Sequence, residues 1–389
     1  MRIGIDISSI VYGTGVSTYT KNLVKNLLDI DRKNEYILFG SSLRRRKDIE
    51  KFTETLKDYK NLKVKLFRYP PTILEILWNK LHVFPLEKFI GEVEVFHSWD
   101  WMQPPIKSNK TKLVTTVHDM VVYLFPSSVH PKILKVQKRR LQRVKAEADR
   151  IIADSYTTKD DLVKFLKIDE DKIRVIYLAP SSDFKPIDED KVKQVLEKYK
   201  IKKPYILSVA TQEPRKNIQK LLDVFEKIII SHPDLHLVLS GKYGWGAHLP
   251  EGGQGLRSSQ NVIWTDYVPQ EDLVALYNGC RIFVYPSLYE GFGLPILEAM
   301  ACGAPVITSN NSSMAEIAKD AAILIDPRSE GQFTKAIEMI MNLNMENYQK
   351  MVNAGLNRAR AYTWKKTAQQ TLEVYEELGR GSAVSDIEG

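Results

Sequence analysis

Short apolar segments alternate with amphipathic segments along almost the whole sequence. Most apolar segments are near-continuous runs, such as residues 113–117, which is typical of strands covered on both faces. These runs predict strands at residues 2–8, 35–40, 63–67, 93–98, 112–118, 150–155, 174–179, 205–210, 235–240, 262–268, 282–286, 306–309 and 322–325. Apolar residues three or four positions apart predict helices at residues 17–28, 132–146, 157–166, 218–230, 270–279, 295–301, 330–341 and 364–378.

The alternation of strands and helices restarts after Pro186 and indicates two domains. A length of 389 residues fits two or three domains of ordinary size. Strands separated by helices form parallel sheets from βαβ units. We therefore predict an α/β protein with two doubly wound Rossmann-like domains, residues 1–185 and 186–363, facing each other across a cleft. Such sheets bind ligands beyond the carboxyl ends of their strands, so the cleft is the expected site.

The last predicted helix, residues 364–378, has two possible placements. Its apolar positions are Ala368, Leu372, Val374 and Tyr375. The helix either closes the second domain or crosses back to pack on the first. Residues 379–389 are polar and contain Gly and Ser, which predicts a flexible tail.

Composition narrows the class of protein. The sequence is 43% hydrophobic and 27% charged, which excludes a disordered, collagenous or coiled-coil chain. No apolar run reaches the roughly 18 residues of a membrane-spanning helix. The first residues enter a predicted strand without an apolar signal segment, and two cysteines make no disulfide framework. We therefore expect a cytoplasmic globular protein.

Basic residues are concentrated in the first half of the sequence. Residues 1–180 hold 33 Lys and Arg against 22 Asp and Glu, whereas the whole chain has a net charge of only +8. Two patches are dense, residues 44–47 and the predicted helix from Lys132. The excess indicates either a solvated Lys-rich surface or an anionic partner. Because no nucleic-acid-binding module accompanies the charge, we predict peripheral contact with an anionic membrane and no nucleic acid.

The most informative segment is residues 289–305. It follows a predicted strand and opens a predicted helix, and Pro295 suits the first helical position. Gly291 and Gly293 let the backbone approach a ligand, and the free amides of the helix start attract an anion such as phosphate. Glu290 and Glu298 can reach one ligand at different points, since carboxylates accept hydrogen bonds from vicinal hydroxyls. An ordinary loop with two solvated acids is the alternative.

Three further motifs follow predicted strands. Arg215 and Lys216 form a cation pair that suits a diphosphate, because Arg offers a planar fork and Lys a compact charge. Gly13 and Gly15 lie in a turn before the first helix, where backbone amides can approach a phosphate or a substrate. His118 ends the strand at residues 112–118, and Asp119 beside it is expected to orient the loop or His118. A tight turn and a satisfied histidine are the alternatives.

Residues 289–305 resemble the Glu-x7-Glu signature of retaining nucleotide-sugar glycosyltransferases of family four, which have the GT-B fold. The resemblance covers nearly the whole chain, up to about Leu378. It implies that Glu290 lies near the donor sugar and that Glu298 holds the ribose of the nucleotide. It also implies that Arg215 and Lys216 clamp the donor diphosphate and stabilise it as it leaves. On this resemblance the catalytic residues are Glu290, His118, Arg215 and Lys216.

The same resemblance implies the remaining parts of the site. His118 contacts the donor sugar, and the donor pocket also includes Gly13, Gly15, Gly241, Val268, Gly291, Phe292, Gly293 and Leu294. His97, Asp100 and Trp101 are candidates for the acceptor site only because they end a first-domain strand. A role in the fold is the alternative for each of these three.

The implied reaction is transfer of a hexose from a nucleotide diphosphate sugar to a hydroxyl, with retention at the anomeric carbon. Similarity to bacterial cell-surface mannosyltransferases, including residues 241–245, favours GDP-mannose and a glycan or lipid-linked acceptor in polysaccharide or glycolipid synthesis. A UDP- or ADP-hexose such as UDP-glucose is the alternative donor. A nucleotide-sugar epimerase and a non-catalytic binding protein are the alternative classes.

Two absences in the sequence bear on the mechanism. There is no Asp-x-Asp in the first domain and no His/Asp cluster with ligand spacing, so we expect no metal and no cofactor beyond the donor. We also find no first-domain carboxylate poised as a general base. That agrees with retention, in which the leaving diphosphate takes the proton of the acceptor.

Overall fold

A computed structural model describes residues 1–99, 101–242, 244 and 260–384. The chain divides into two units. The first unit comprises Met1–Tyr123, Pro131–Leu178 and the chain from Trp364, and the second comprises Leu124–His130 and Ala179–Thr363. The first long segment therefore ends at Leu178 rather than at the predicted residue 185, and a short segment after Tyr123 belongs to the second unit.

The described part of the first unit contains a parallel sheet of seven strands in the order β3-β2-β1-β4-β5-β6-β7. The strands are β1 (Arg2–Asp6), β2 (Glu35–Ser41), β3 (Leu62–Phe67), β4 (Val95–Ser98), β5 (Lys112–Val117), β6 (Arg150–Ala153) and β7 (Ile173–Val175). In register, Ile5 of β1 lies beside Leu38 of β2 and His97 of β4. The strand order reverses between β1 and β4, and the carboxyl ends of strands at such a point form the expected ligand site.

Helices surround this sheet because their apolar faces pack on it. They are α1 (Gly15–Ile30), α2 (Arg46–Glu54), α3 (Pro71–Glu75), α4 (Glu87–Ile90), α5 (Val121–Leu124, which crosses into the second unit's segment), α6 (Pro131–Glu147) and α7 (Tyr156–Asp161). A 3-10 turn, Ser8–Tyr12, joins β1 to α1 and ends at Gly13 with φ of 65°. One part of the core packs Phe39, Trp78 and Phe96 together.

The described part of the second unit contains a parallel sheet of six strands in the order β10-β9-β8-β11-β12-β13. The strands are β8 (Tyr205–Val209), β9 (His236–Ser240), β10 (Val262–Asp266), β11 (Ile282–Tyr285), β12 (Val306–Ser309) and β13 (Ile323–Ile325). Its helices are α8 (Glu189–Lys198), α9 (Ile218–Ser231), α10 (Gln270–Gly279), α11 (Leu294–Ala301), α12 (Ser312–Ala318), α13 (Glu330–Met341) and α14 (Met345–Arg360). Phe225, Val284 and Phe333 lie in its core.

The C-terminal helix α15 (Trp364–Val384) packs against α1 and so belongs to the first unit. The four predicted apolar positions, Ala368, Leu372, Val374 and Tyr375, are all buried. Of the two placements that the sequence left open, the helix adopts the one on the first unit. It also continues beyond Leu378, so residues 379–384 are helical where the sequence predicts a flexible tail.

Each of the thirteen predicted strands coincides with a strand of the structure, but several helices were missed. Two of the missed helices, α14 and α2, bury few large apolar side chains. In α14 the buried residues are Gly355 and Ala359, and in α2 only Ile49 is buried. Small or single buried residues leave no apolar stripe in the sequence, so hydrophobic periodicity could not reveal these helices.

Candidate active site

The two cations and the first acid of the predicted donor site meet in one buried cluster of the second unit. Arg215 and Lys216 lie in a 3-10 turn after β8, and Glu290 lies in the loop between β11 and α11. The Arg215 guanidinium is 2.9 Å from Glu290 Oε2, and Lys216 Nζ is 2.6 Å from Glu290 Oε1. Arg215 also forms an ion pair with Glu213 and donates to the Tyr289 carbonyl at 2.6 Å.

The charges within this cluster stabilise one another. Burial by itself disfavours the ionised form of Glu290, but Lys216 and Arg215 outweigh that effect and lower its pKa to about 2. Burial likewise disfavours the charged Lys216, but Glu290 outweighs it and the pKa of Lys216 is raised. The cations that the sequence assigns to a diphosphate are therefore paired with the acid that it assigns to the sugar.

The loop that carries Glu290 is held by two serines at the start of α12. Ser312 Oγ and Ser313 Oγ donate to the Glu290 carbonyl at 2.5 and 2.8 Å, and Ser313 also donates to the Phe292 carbonyl at 2.9 Å. Gly293 precedes the helix with φ of 100°, a conformation that favours glycine. Helix α11 begins at Leu294, so Pro295 is its second residue rather than its first. The free amides at the start of α11 therefore come a few residues after Glu290, a member of the ion cluster.

Glu298 is held differently from Glu290. It lies one turn into α11 and accepts a hydrogen bond from the Tyr277 hydroxyl at 3.1 Å. Burial raises the pKa of Glu298 to about 7, and the bond from Tyr277 opposes that shift only in part. The two predicted donor-site acids therefore differ in charge near neutral pH, with Glu290 fully ionised and Glu298 close to its titration point.

Three other predicted donor residues of the second unit contribute to the fold itself. Gly241 has φ of 138°, and a Cβ there would lie 2.0 Å from the Ala210 carbonyl oxygen, so the fold itself requires glycine. Val268 and Phe292 are buried, and the ring of Phe292 meets that of Tyr362 edge to face. Of the run at residues 241–245, Tyr243 and Trp245 lie outside the described residues.

The glycine-rich turn of the first unit is exposed. A Cβ added to Gly13 or Gly15 would meet nothing within 4 Å. Gly15 is the first residue of α1, and the Ser17 hydroxyl accepts a hydrogen bond from the Thr14 amide at 3.3 Å. The turn thus presents an open helix start, and its contact with a phosphate or a substrate stays a prediction.

His118 follows β5 and is oriented by a carboxylate that the sequence interpretation missed. His118 Nδ1 lies 2.7 Å from Oδ2 of the buried Asp154, which follows β6. The neighbour Asp119 instead accepts from the Val121 amide at 2.9 Å and so orients the loop. Asp154 lies within the predicted strand at residues 150–155, but only the pairing of β5 with β6 brings it to His118.

The acceptor candidates are not equivalent. His97 is 3% exposed, and its two ring nitrogens lie 2.6 Å from the Tyr375 hydroxyl and 2.9 Å from the Thr116 hydroxyl. Burial lowers the pKa of His97 to about 3, so it is a neutral residue of the interior. It also lines a small pocket of the first unit, and its role as an acceptor contact stays a prediction. Trp101 is partly buried and stacks on Trp99, and Asp100 lies outside the described residues.

The first unit holds a buried carboxylate at a strand end that the sequence did not single out. Asp6 is the last residue of β1 and is 2% exposed. It lies at the point where the strand order reverses, and it lines a pocket together with His118. The sequence Ile5-Asp6-Ile7 gave no sign of this, because a single acid inside a strand is not a motif.

The described residues contain no group of three or more His, Cys, Asp or Glu side chains placed to hold a metal ion. Among the described helices, none has the length and apolar character needed to cross a membrane.

Family models match both halves of the chain. Residues 13–179 match the model described as "Glycosyltransferase Family 4", and residues 188–358 match "Glycosyl transferases group 1". The chain is similar to O-antigen chain mannosyltransferase B of Escherichia coli, with 30% identity over 94% of this chain and 96% of the relative. It is also similar to the O-antigen chain mannosyltransferase RfbU of Salmonella typhimurium, with 31% identity over 61% of this chain and 63% of that protein.

Solved structures show the same fold. A glycosyltransferase from Rickettsia africae superposes with a TM-score of 0.70 at 17% identity, over 97% of this chain and 98% of its own. The Anabaena protein HepE, crystallised with UDP-glucose, superposes with a TM-score of 0.69 at 15% identity, over 97% of this chain and 100% of its own. The two doubly wound units thus have the GT-B fold. With this fold and with a relative that matches along nearly its full length, the chain belongs to glycosyltransferase family 4 and is a glycosyltransferase.

Proposed function

We propose that this enzyme transfers mannose from GDP-mannose, with retention, to a hydroxyl of a glycan or lipid-linked acceptor in cell-surface polysaccharide synthesis. The observation that carries the proposal is the buried cluster of Arg215, Lys216 and Glu290 beside the start of α11. Mannose is favoured because the two relatives cited above are named as O-antigen mannosyltransferases. UDP-glucose is the alternative donor, because HepE was crystallised with it.

The proposed chemistry is electrostatic. Negative charge grows on the diphosphate as the glycosidic bond lengthens, and groups already aimed at that charge stabilise the transition state more than the ground state. Arg215, Lys216 and the amides of the α11 start supply such groups, and the carboxylate of Glu290 holds both cations in place. The leaving diphosphate takes the acceptor proton, and no metal ion is needed to neutralise it.

Replacement of Arg215 tests this role. Arg215→Ala removes charge-assisted hydrogen bonds of about 1.5–3 kcal/mol each, so kcat/KM for the donor should fall at least tenfold. Arg215→Lys should restore part of the activity, and Arg328→Ala, which removes an exposed arginine of the same unit, should leave it unchanged. A folded Arg215→Ala enzyme with full kcat/KM contradicts the proposed clamp.

The donor is tested by binding and turnover together. At equal concentration, a ligand that binds only the folded state raises the melting temperature more the more tightly it binds, so GDP should give a larger shift than UDP or ADP. GDP-mannose should then release GDP in the presence of acceptor, with an α-linked product. A larger shift with UDP, or turnover of UDP-glucose alone, supports the alternative donor.

We also propose that the enzyme contacts an anionic membrane through its first unit. Exposed lysines of α6, including Lys132, Lys135 and Lys138, supply positive charge. Next to α6, the segment at residues 71–84 exposes Ile73, Ile76, Leu81 and Phe84. A surface with both cations and apolar side chains suits the boundary between headgroups and acyl chains.

Arg140 lies in the basic helix that the sequence predicts from Lys132, but it is not part of the basic surface. Arg140 is 1% exposed and donates to the Thr115 hydroxyl and the Thr116 carbonyl, so it supports β5 and is not a surface cation. Arg139 forms an ion pair with Glu75. Replacement of these two arginines would therefore disturb packing as well as surface charge.

Sedimentation with vesicles tests the membrane contact. The protein should bind vesicles that contain anionic lipid, and salt should weaken the binding. Alanine at Lys132, Lys135 and Lys138 should reduce it, whereas alanine at Lys191 and Lys193, which are exposed lysines of the second unit, should not. Protein that stays in the supernatant at low salt contradicts the contact.

A further inference from the structure

Tyr19 of α1 packs directly on His118, the residue that the family resemblance places at the donor sugar. The two rings meet edge to face, with their centroids 4.9 Å apart and an angle of 78° between their planes. This geometry is favoured because the positive edge of one ring meets the negative face of the other. Tyr19 is 5% exposed, so its ring belongs to the interior and offers His118 a fixed neighbour.

The far end of the Tyr19 ring is anchored by a network of buried hydrogen bonds. Tyr19 Oη lies 2.8 Å from Thr116 Oγ1, and the same Oγ1 lies 2.9 Å from His97 Nε2. His97 Nδ1 in turn lies 2.6 Å from the Tyr375 hydroxyl of α15. All four side chains are buried, where a hydrogen bond is stronger than in water. Because these residues come from α1, β4, β5 and α15, four separate elements hold one ring in place.

The groups of this network are electrically neutral. Burial lowers the pKa of His97 to about 3, so its ring carries a proton on one nitrogen only. Burial raises the pKa of Tyr19, so its hydroxyl stays protonated. Neutral hydroxyls and a neutral imidazole both donate and accept, so the bonds from Tyr375 to Tyr19 can all be satisfied in one direction along the network. The position of the Tyr19 ring therefore does not depend on pH near neutrality.

A single hydrogen bond does not fix the orientation of the His118 ring. The bond between Nδ1 and Asp154, at 2.7 Å, restrains the position of one nitrogen but leaves the tilt of the ring plane free, since the side chain turns about both χ1 and χ2. The contact with Tyr19 restrains that tilt, because a turned ring would lose the edge-to-face packing. Tyr19, Thr116 and His118 also line one small cavity of about 10 Å³. A shorter side chain at position 19 would enlarge this cavity and give His118 room to turn.

We propose that Tyr19 is a positioning residue for sugar transfer: its ring, anchored through Thr116 to His97, sets the tilt of the His118 ring and so the place of Nε2 at the donor sugar. The inference rests on the proposed function, in which His118 contacts that sugar. Asp154 and Tyr19 then have separate tasks, because the hydrogen bond selects the tautomer and the packed ring selects the orientation. A misplacement of about 1 Å at a reacting centre can lower a rate about 100-fold, so this orientation bears on kcat.

Two substitutions of Tyr19 separate the role of its ring from that of its hydroxyl. The assay is GDP release from GDP-mannose by the full chain, with methyl α-mannoside as the acceptor probe. Tyr19→Leu removes the ring and should lower kcat about tenfold, with the KM for the donor within about twofold of the wild type. Tyr19→Phe keeps the ring without its anchor and should lower kcat about threefold. Phe39→Leu and Tyr36→Phe make similar changes at other buried positions of the first unit and should leave kcat unchanged.

Removal of His118 decides whether Tyr19 acts through it. In a His118→Ala enzyme, Tyr19→Leu and Tyr19→Phe should each change kcat by less than about twofold, because a positioning residue has no effect once the positioned ring is gone. A general packing defect would lower kcat in both backgrounds. The nitrogen-15 shifts of His118 in the Tyr19 variants should show the wild-type tautomer, because Asp154 still holds Nδ1.

The outcomes separate this inference from the proposed donor. An equal loss of kcat with and without His118, or a His118→Ala enzyme as fast as the wild type, overturns the inference. If Tyr19→Leu does not fold, Tyr19→Phe gives the same comparison, and wild-type kcat in that variant would show that the anchor has no role. Release of UDP from UDP-glucose without release of GDP from GDP-mannose would instead count against the proposed donor, and UDP-glucose would then serve as the substrate for the same variants.

Discussion

At the scale of single residues, the ion pairs of Glu290 imply an unusual response to its removal. Glu290→Gln leaves two buried cations without their shared carboxylate, which should lower the free energy of unfolding by about 3–5 kcal/mol. The same cations then become available to phosphate, so nucleoside diphosphate affinity should rise while sugar transfer falls.

Thermal unfolding with and without GDP measures both effects on Glu290→Gln. The melting temperature should drop in the absence of ligand, and the rise on adding GDP should exceed that of the wild type. Glu271→Gln, an exposed acid of the same unit, serves as the control. A Glu290→Gln protein with weaker GDP binding would show that the carboxylate contacts the nucleotide directly.

Glu298 predicts a dependence of nucleotide binding on pH. Because its pKa in the folded protein, about 7, lies above the ordinary value of 4.5, the folded state favours the protonated form. Its contribution to the free energy of unfolding is therefore present below pH 4.5 and is lost as the pH rises towards 7. The ionised form accepts ribose hydroxyls more strongly than the neutral form, by about 1 kcal/mol. Nucleoside diphosphate affinity should accordingly rise about fivefold through pH 7.

Calorimetric titration between pH 6 and 8 measures this rise, and the phosphate groups of the ligand also titrate in that range. Glu298→Gln retains the ligand's own titration and provides the correction. The difference between the two proteins should follow a single ionisation, and identical pH profiles would exclude Glu298 as the ribose contact.

The contact of Asp154 with His118 predicts a positioning role. The carboxylate holds a proton on Nδ1 and so leaves Nε2 as the nitrogen that would meet the donor sugar in the proposed reaction. Asp154→Asn should lower kcat about 10- to 100-fold, corresponding to a charged hydrogen bond, with little change in the KM for the donor. The nitrogen-15 shifts of His118 should show a mixture of tautomers in the variant. Asp119→Asn, whose carboxylate orients only the loop, should keep the wild-type tautomer.

At the scale of secondary-structure elements, the turn after β9 depends on Gly241 for backbone reasons. Gly241→Ala would place Cβ 2.0 Å from a carbonyl oxygen of the neighbouring strand end at φ of 138°, and should cost about 2–4 kcal/mol. Gly331→Ala, in the first turn of α13 with nothing within 4 Å, should be neutral or slightly stabilising. Chemical denaturation measures both, and equal stabilities would contradict the close approach at Gly241.

At the scale of the whole molecule, the C-terminal helix α15 stabilises the first unit, which contains the first residues of the chain. The Tyr375 side chain of α15 is fully buried and lies 2.6 Å from His97 of β4. Tyr375→Ala should cost about 3–5 kcal/mol, as do other large-to-small changes in cores. Hydrogen exchange should show faster exchange in β1 and β4 and little change in β8 and β11. Faster exchange confined to the second unit would contradict the division of the chain.

Local patterns in the sequence were sufficient for the architecture and for part of the site. Apolar runs separated by segments of helical periodicity revealed every strand of the described residues, because a parallel strand covered on both faces must be apolar. The candidate donor residues of the second unit could be proposed because glycines, cations and acids follow strands directly, and carboxyl ends of parallel strands share one edge. Helices such as α14 were missed because Gly355 and Ala359 face the core without forming an apolar stripe.

The chemical state of the site was decided only by the tertiary structure. Nothing in the sequence near Asp154 indicates that it lies 2.7 Å from His118, and nothing near His97 indicates that Tyr375 and Thr116 occupy its ring. The same holds for the pairing of Glu290 with Lys216 and for the buried carboxylate of Asp6. Sequence determines which side chains a strand end presents, because that depends on local periodicity. Burial and partners far along the chain determine their charges and contacts, because desolvation and ion pairing depend on distances that only packing sets.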